Sequence, residues 1–151
     1  METLFSILHV VTAVFIVGPM AILPMTAMRA VRAGNASQVA VLAKSTNLFS
    51  LLSLLVVVFG FGVMGMADEK YNLSVTTPWV LWSIILYIVA LGLSLFVVVP
   101  TMRKAAEALG AVDAANPSAA AAPSRYPAIA AGSGVASLLL VAVVVLMVWK
   151  P

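Results

Sequence analysis

The sequence predicts an all-α membrane protein, a four-transmembrane-helix bundle with both termini outside. Of its 151 residues, 64% are hydrophobic and 9% are charged, against about 45–50% and about 25% in a soluble domain. Four apolar stretches, at about 4–28, 48–66, 79–99 and 129–148, each approach the ~20 residues that cross a ~30 Å hydrocarbon core, and none contains Asp, Glu, Lys or Arg. A soluble enzyme is excluded, because a domain of this size leaves roughly 30% of its surface exposed to water.

The four predicted helices form a single domain over residues 1–151 and cover about 4–28, 37–66, 79–109 and 128–149. In lipid the backbone must pair its own polar groups, so uncharged stretches of this length are helices. The alternation of polar and apolar residues that is typical of barrel strands is absent. The start Met1-Glu2-Thr3 lacks the positive charge of a signal peptide, so we expect the first helix to be retained.

Two loops carry local signals. Asn35, followed three residues later by Gln38, is a variant of the capping box that predicts the start of helix two. A helix from there to Met66 has a length of about 45 Å and projects into the cytoplasm. Residues 110–127 are rich in Ala and Pro, which predicts a flexible cytoplasmic linker.

The basic residues predict the orientation. Six of the eight Lys and Arg residues lie in or beside the first and third loops, which the positive-inside rule places in the cytoplasm. The second loop has Lys70 alone, beside Asp68 and Glu69. Both termini are therefore predicted to face outward, and Trp79, Trp82, Tyr71 and Trp149 are expected at the outer interface.

His9 is the single histidine, and it lies inside the first apolar stretch, where an ionisable residue suggests a function by default. A neutral imidazole hydrogen-bonded to a backbone carbonyl or a nearby hydroxyl accounts for it without any ligand. The alternatives are an axial ligand to haem or a copper site, because His and Met suit Cu(I). The predicted topology places Met64, Met66 and Met147 at the level of His9.

Prolines interrupt the first helix, and small residues mark the last one. Gly18-Pro19 and Pro24 predict a kink in helix one, and the absence of charge in the spans argues against proton pumping by this chain alone. The sequence has no evident internal repeat.

Small residues recur every four positions in helix four and predict close helix packing, either within the subunit or against a partner. They are Ala128, Gly132, Ser133, Ala136 and Ser137.

Leu8-His9-Val10-Val11, followed by Gly18 and Pro19, resembles the first helix of small four-helix bacterial membrane proteins akin to copper-resistance D. The resemblance extends over the four-helix arrangement, and the motif that carries it lies in helix one. It implies a bacterial inner-membrane protein and a place for His9 in haem or copper handling. The further histidines expected for that role are absent from this chain.

Two functional hypotheses follow. The first is a non-catalytic accessory or assembly subunit that docks to a larger membrane complex, possibly a respiratory-chain complex. It uses no cofactor or metal and no catalytic residue, and it binds no nucleic acid, because basic loops at a membrane surface face anionic lipid. The second is a copper or haem handling or transport protein that uses His9 with methionines. No paired carboxylate, phosphate loop or Ser-His-Asp set suggests an enzyme.

The orientation can be tested by labelling single cysteines, because the native chain has none. With an impermeant thiol reagent in intact cells, we expect a cysteine at Thr76 to react and a cysteine at Ser118 to stay unlabelled until the membrane is opened. Labelling of Ser118→Cys in intact cells would reverse the predicted topology.

Overall fold

The computed structural model describes residues 1–67, 72–115 and 126–151. These residues form four helices that are long and apolar enough to cross a membrane. Helix α1 comprises Glu2–Thr12, a π-helical turn at Ala13–Val17, and Gly18–Arg32. Helix α2 is Ala36–Met66; α3 comprises Pro78–Leu93, a second π turn at Ser94–Val98, and Val99–Ala115; α4 is Pro127–Trp149.

The four helices alternate in direction, so one side of the bundle carries both chain termini and the other carries most of the charge. We call the first the terminal side; there Lys150 places its Nζ 5.9 Å from the ring centroid of Trp79 and joins the end of α4 to the start of α3. We call the other the basic side, and its described Lys and Arg residues are all exposed: Arg29, Arg32, Lys44, Arg103 and Lys104. Arg125 and the charged loop at Asp68–Lys70 lie outside the described residues.

The turn from α1 to α2 takes only three residues. Gly34 adopts a φ of 70°, a left-handed conformation that glycine enters without a steric cost and that commonly ends a helix. The Asn35 side chain then accepts a hydrogen bond of 3.0 Å from the backbone N–H of Gln38. The N-cap predicted from the sequence is confirmed, and α2 continues from it for 31 residues.

Helix α3 is longer than the sequence predicts. The expected linker over 110–127 is wrong for residues 110–115, which continue the helix to Ala115. Gly110 costs a helix interior only about 1 kcal/mol relative to Ala, and the alanines around it favour the helix. Of the rest of the predicted linker, residues 116–125 lie outside the described residues, and Pro127 already begins α4.

The two odd-numbered helices share one local structure that the sequence did not lead us to expect. In α1 the π turn ends two residues before Pro19, and in α3 the π turn ends two residues before Pro100. Both turns carry the pattern Phe-x-Val-x-Pro, at Phe15–Pro19 and Phe96–Pro100. Proline has no backbone N–H to donate to the carbonyl group four residues before it. The wider π turn accommodates this missing hydrogen bond. The two odd-numbered helices therefore share this local structure.

On the basic side the helices close into a ring, in which α1 packs on α2, α2 on α3, α3 on α4 and α4 on α1. The buried core lies there: Ala27, Val31, Val39, Met102, Ala105 and Ile129 are each at most 3% exposed. Near the middle, Met20 of α1, Ala90 of α3 and Leu140 of α4 form a second cluster.

On the terminal side the ring opens into two helix pairs. The segment Glu2–Thr12 packs along α2, and Pro78–Leu93 packs along α4. In these halves of the helices, Val10 and Val14 of α1 and Val141 and Val144 of α4 stay exposed. The basic-side half of the bundle thus holds the α1–α2 pair and the α3–α4 pair together, and the terminal-side half lets them diverge.

The small-residue face of α4 lies inside this bundle. Gly132, Ser133 and Ala136 are buried, the Ser137 hydroxyl donates to the Ala21 carbonyl of α1 over 3.3 Å, and Ala128 is exposed. A Cβ at Gly132 would lie 3.0 Å from Val98 Cγ2 of α3. The sequence leaves open whether the small residues of α4 pack within the subunit or against a partner. In the structure, the buried ones pack against neighbouring helices of the same subunit.

Replacing Gly132 should therefore destabilise the subunit itself. We expect Gly132→Leu to lower its unfolding free energy by about 1–3 kcal/mol, the usual cost of overpacking, measured by thermal unfolding in detergent. Gly134→Ala is the matched control on the same helix, because a Cβ there meets nothing within 4 Å. Equal melting temperatures for wild type and Gly132→Leu would contradict this packing.

Candidate functional site

His9 is held between α1 and α2 by one hydrogen bond. Its Nδ1 lies 2.8 Å from the carbonyl oxygen of Val56. Because a carbonyl oxygen only accepts, the proton of a neutral imidazole in this contact is on Nδ1. The lone pair of Nε2 is then free to accept a hydrogen bond or to bind a metal.

Gly60 makes this contact possible. A Cβ at Gly60 would lie 3.0 Å from His9 Cε1 and 3.2 Å from Nδ1, so the imidazole lies against the bare backbone of α2. One turn closer to the terminal side, the ring of Phe5 fills the space that a Cβ of Gly62 would need and meets Phe59 edge-on at 6.3 Å between centroids. Gly60 and Gly62 of α2 thus give room to His9 and Phe5 of α1.

The methionines proposed to join His9 all lie toward the terminal side, near the ends of α2 and α4. Met64 and Met147 are half-buried and Met66 is exposed. Met20 and Met102, in contrast, are buried and fill the core. Among the described residues, no three His, Asp or Glu side chains group as a metal site would require.

Buried hydroxyls follow one face of α2. Thr46, Ser50 and Ser53 are each fully buried, at the i, i+4 and i+7 spacing of one helix face. The Ser53 hydroxyl lies 2.6 Å from both the Ser50 carbonyl and the Tyr87 hydroxyl of α3. Since the carbonyl accepts the Ser53 proton, the Tyr87 hydroxyl is the donor to Ser53.

The Ser53–Tyr87 pair was missed by the sequence analysis. The spacing of Thr46, Ser50 and Ser53 marks a polar face and could have signalled it. Their partner is 34 residues away from Ser53 and appears only once α2 and α3 are packed. The role of Gly60 is likewise visible only from the position of His9.

The terminal-side half of α1 is the least enclosed part of the bundle. No residue of Glu2–Thr12 is buried, and its outer face forms a shallow apolar depression lined by Thr3, Ser6, Ile7, Val10 and Val11. This segment contacts α2 along one side only. Its opposite side is available to lipid or to another protein.

No curated protein and no solved structure matches the chain. The resemblance to copper-resistance D that Leu8-His9 and Gly18 suggest therefore finds no support in these comparisons. What they do identify is a family defined by its membrane character. The family model described as "Predicted integral membrane protein (DUF2269)" matches residues 3–151, and the chain belongs to that family.

Proposed function

We propose that this protein is a non-catalytic accessory or assembly subunit that docks to a larger membrane complex through the terminal-side half of α1. The observation that carries the proposal is the uneven burial of the helices. Of the most apolar 18 residues of each helix, 6% are buried in α1, against 33% in α3. Helix α1 is held mainly by its basic-side half.

Exposed apolar side chains alone do not call for a partner, since lipid tails are as apolar as leucine. The support lies in shape and polarity. Thr3 and Ser6 place hydroxyls beside the apolar depression on α1, and hydroxyls of this kind hydrogen-bond across transmembrane helices. Thr3 and Ser6 are also small, and small residues at an interface let a second helix approach closely.

The absence of charged residues from the apolar stretches favours docking over transport. The chain's four apolar stretches contain no Asp, Glu, Lys or Arg, which are the residues that usually move ions or protons through a membrane protein. Docking therefore suits it better than transport. A respiratory-chain complex in a bacterial inner membrane is our proposal for the larger assembly.

Photo-crosslinking in native membranes tests the docking surface. With a photoreactive amino acid at Val10, which is 59% exposed on α1, we expect one discrete crosslinked product with a partner subunit. The matched control is Phe96, which is 81% exposed on α3 and should give lipid adducts only. Val10→Trp should reduce co-migration with the partner on native gels about tenfold, the effect of ~1.4 kcal/mol.

The outcome against docking is also clear. Wild-type protein that migrates alone after digitonin-type solubilisation, with no protein crosslink from Val10, would exclude this function. Crosslinks from Phe96 and from Val10 in equal yield would place the partner elsewhere.

A second candidate function, copper or haem handling, is favoured by the geometry of His9. Histidines that bind metals usually donate their other ring N–H to a carbonyl or carboxylate, which orients the ring. His9 makes this contact with Val56, so Nε2 would be the ligand atom.

His9→Ala and Gly60→Ala separate the two candidates. In the docking proposal, purified protein carries no stoichiometric metal or haem, and His9→Ala loses about 0.5–1.5 kcal/mol of unfolding free energy for one hydrogen bond. Gly60→Ala should displace the imidazole and have a similar effect, whereas Gly65→Ala should not, because a Cβ there meets nothing within 4 Å. Metal or haem bound by wild type and lost in both His9→Ala and Gly60→Ala would favour the second candidate.

A further inference from the structure

We propose that the middle of the bundle binds one water molecule between the Ser50 hydroxyl of α2 and the Met20 carbonyl of α1. We call these two groups the central polar site. The ligand that the site takes is a neutral, water-sized molecule that accepts one hydrogen bond and donates another. The proposal does not depend on a docking partner.

The first group of the site is a hydroxyl without an acceptor. Ser50 is fully buried, and among the described residues its Oγ is the buried side-chain oxygen that has no hydrogen-bond partner. The other two hydroxyls of the same face are already bound, since Thr46 donates to the Leu42 carbonyl and Ser53 donates to the Ser50 carbonyl. An unpaired hydroxyl in an apolar surrounding is unfavourable, so Ser50 requires an acceptor.

The second group is a backbone carbonyl without its usual donor. Pro24 is buried inside the helical segment Gly18–Arg32, and a proline has no N–H for the carbonyl four residues before it. That carbonyl belongs to Met20, which is 2% exposed. A π turn precedes Pro19 and another precedes Pro100, whereas the backbone around Pro24 stays α-helical. The bond missing at Pro24 is therefore not taken up by a wider turn.

The two groups lie at the same level of the bundle. Helices α1 and α2 are antiparallel and are joined at residues 33–35, which puts Met20 within about one helical turn of Ser50. Phe49, next to Ser50, packs against the central cluster that contains Met20. Because Ser50 makes no direct hydrogen bond, a bridge must accept from the hydroxyl and donate to the carbonyl. Buried water does both, and it binds where polar groups otherwise lack partners.

The bundle already supplies one such hydrogen bond to this stretch of α1. The Ser137 hydroxyl of α4 donates to the carbonyl of Ala21, beside Met20. The backbone before Pro24 is thus open to hydroxyl donors from the interior, as expected where a proline interrupts a transmembrane helix. A neutral ligand suits the surrounding, because the four apolar stretches carry no Asp, Glu, Lys or Arg to balance an ion.

Water-edited solid-state NMR of carbon-labelled protein in lipid bilayers tests the site, because magnetisation passes from a bound water molecule to the carbons beside it. In the wild type we expect early transfer at Ser50 Cβ and at the carbonyl carbon of Met20. The matched control is Ser83, which is also buried but donates to the Trp79 carbonyl within its own helix. Its Cβ should receive magnetisation only slowly.

Two variants test the partners of the water molecule. Ser50→Ala removes the hydroxyl and should abolish the early transfer at Met20. Pro24→Ala restores the missing N–H, so the Met20 carbonyl regains its helical hydrogen bond and the transfer at Ser50 should fall to the level of Ser83. Pro100→Ala is the matched proline control and should leave both signals unchanged, because a π turn already accommodates Pro100.

The proposal is overturned if wild-type Ser50 receives magnetisation no faster than Ser83. That result is expected if the Ser50 hydroxyl donates to the Thr46 carbonyl of its own helix or directly to Met20. It is also overturned if Ser50→Ala leaves the transfer at Met20 unchanged, or if Pro24→Ala and Pro100→Ala have the same effect. The comparison of Ser50 with Ser83 in the wild type needs no variant, so it decides the question even where a variant fails to fold.

Discussion

The rest of the structure depends on the requirement that a chain in lipid must pair its own backbone groups. Helices satisfy this requirement, and prolines inside a helix violate it locally. This chain places Pro19 and Pro100 in the middle of its two odd-numbered helices. In both cases a π turn takes up the mismatch immediately before the proline. On the terminal side of these turns, Glu2–Thr12 packs along α2 and Pro78–Leu93 packs along α4.

Hydrophobic length was enough to predict the four helices, because lipid leaves the backbone few alternatives. The cap at Asn35 was also predictable, since it depends on residues three positions apart. The end of α3 at Ala115 was not, because nothing in the local sequence distinguishes an alanine-rich linker from an alanine-rich helix. The repeated turns escaped notice because Phe-x-Val-x-Pro is too short a pattern to stand out among aliphatic residues.

The candidate site shows the limit of prediction more sharply. That His9 needs a partner followed from its place in an apolar span, and the expected backbone carbonyl was the right kind of acceptor. The sequence could not show that the acceptor is Val56, which His9 reaches across Gly60, because this depends on the register of α1 against α2. Packing also decided the role of Gly132, whose contact with Val98 uses the small-residue face within the subunit. The residue types were readable from the sequence, and their partners were not.

The two halves of the bundle show how stability and adaptability are divided in this protein. In water, the exposed valines of the terminal side would themselves drive the pairs together. In lipid that force is absent, and only close packing and hydrogen bonds hold helices in contact. The basic side has close packing, at Ala27, Ala105 and Ile129. Toward the terminal side, the smaller cluster that contains Met20 and Leu140 and the hydrogen bond between Ser53 and Tyr87 join the pairs. The terminal-side half of α1 has no buried residue, so a second helix could pack against it without displacing a well-packed interface, which is the condition that the docking proposal requires.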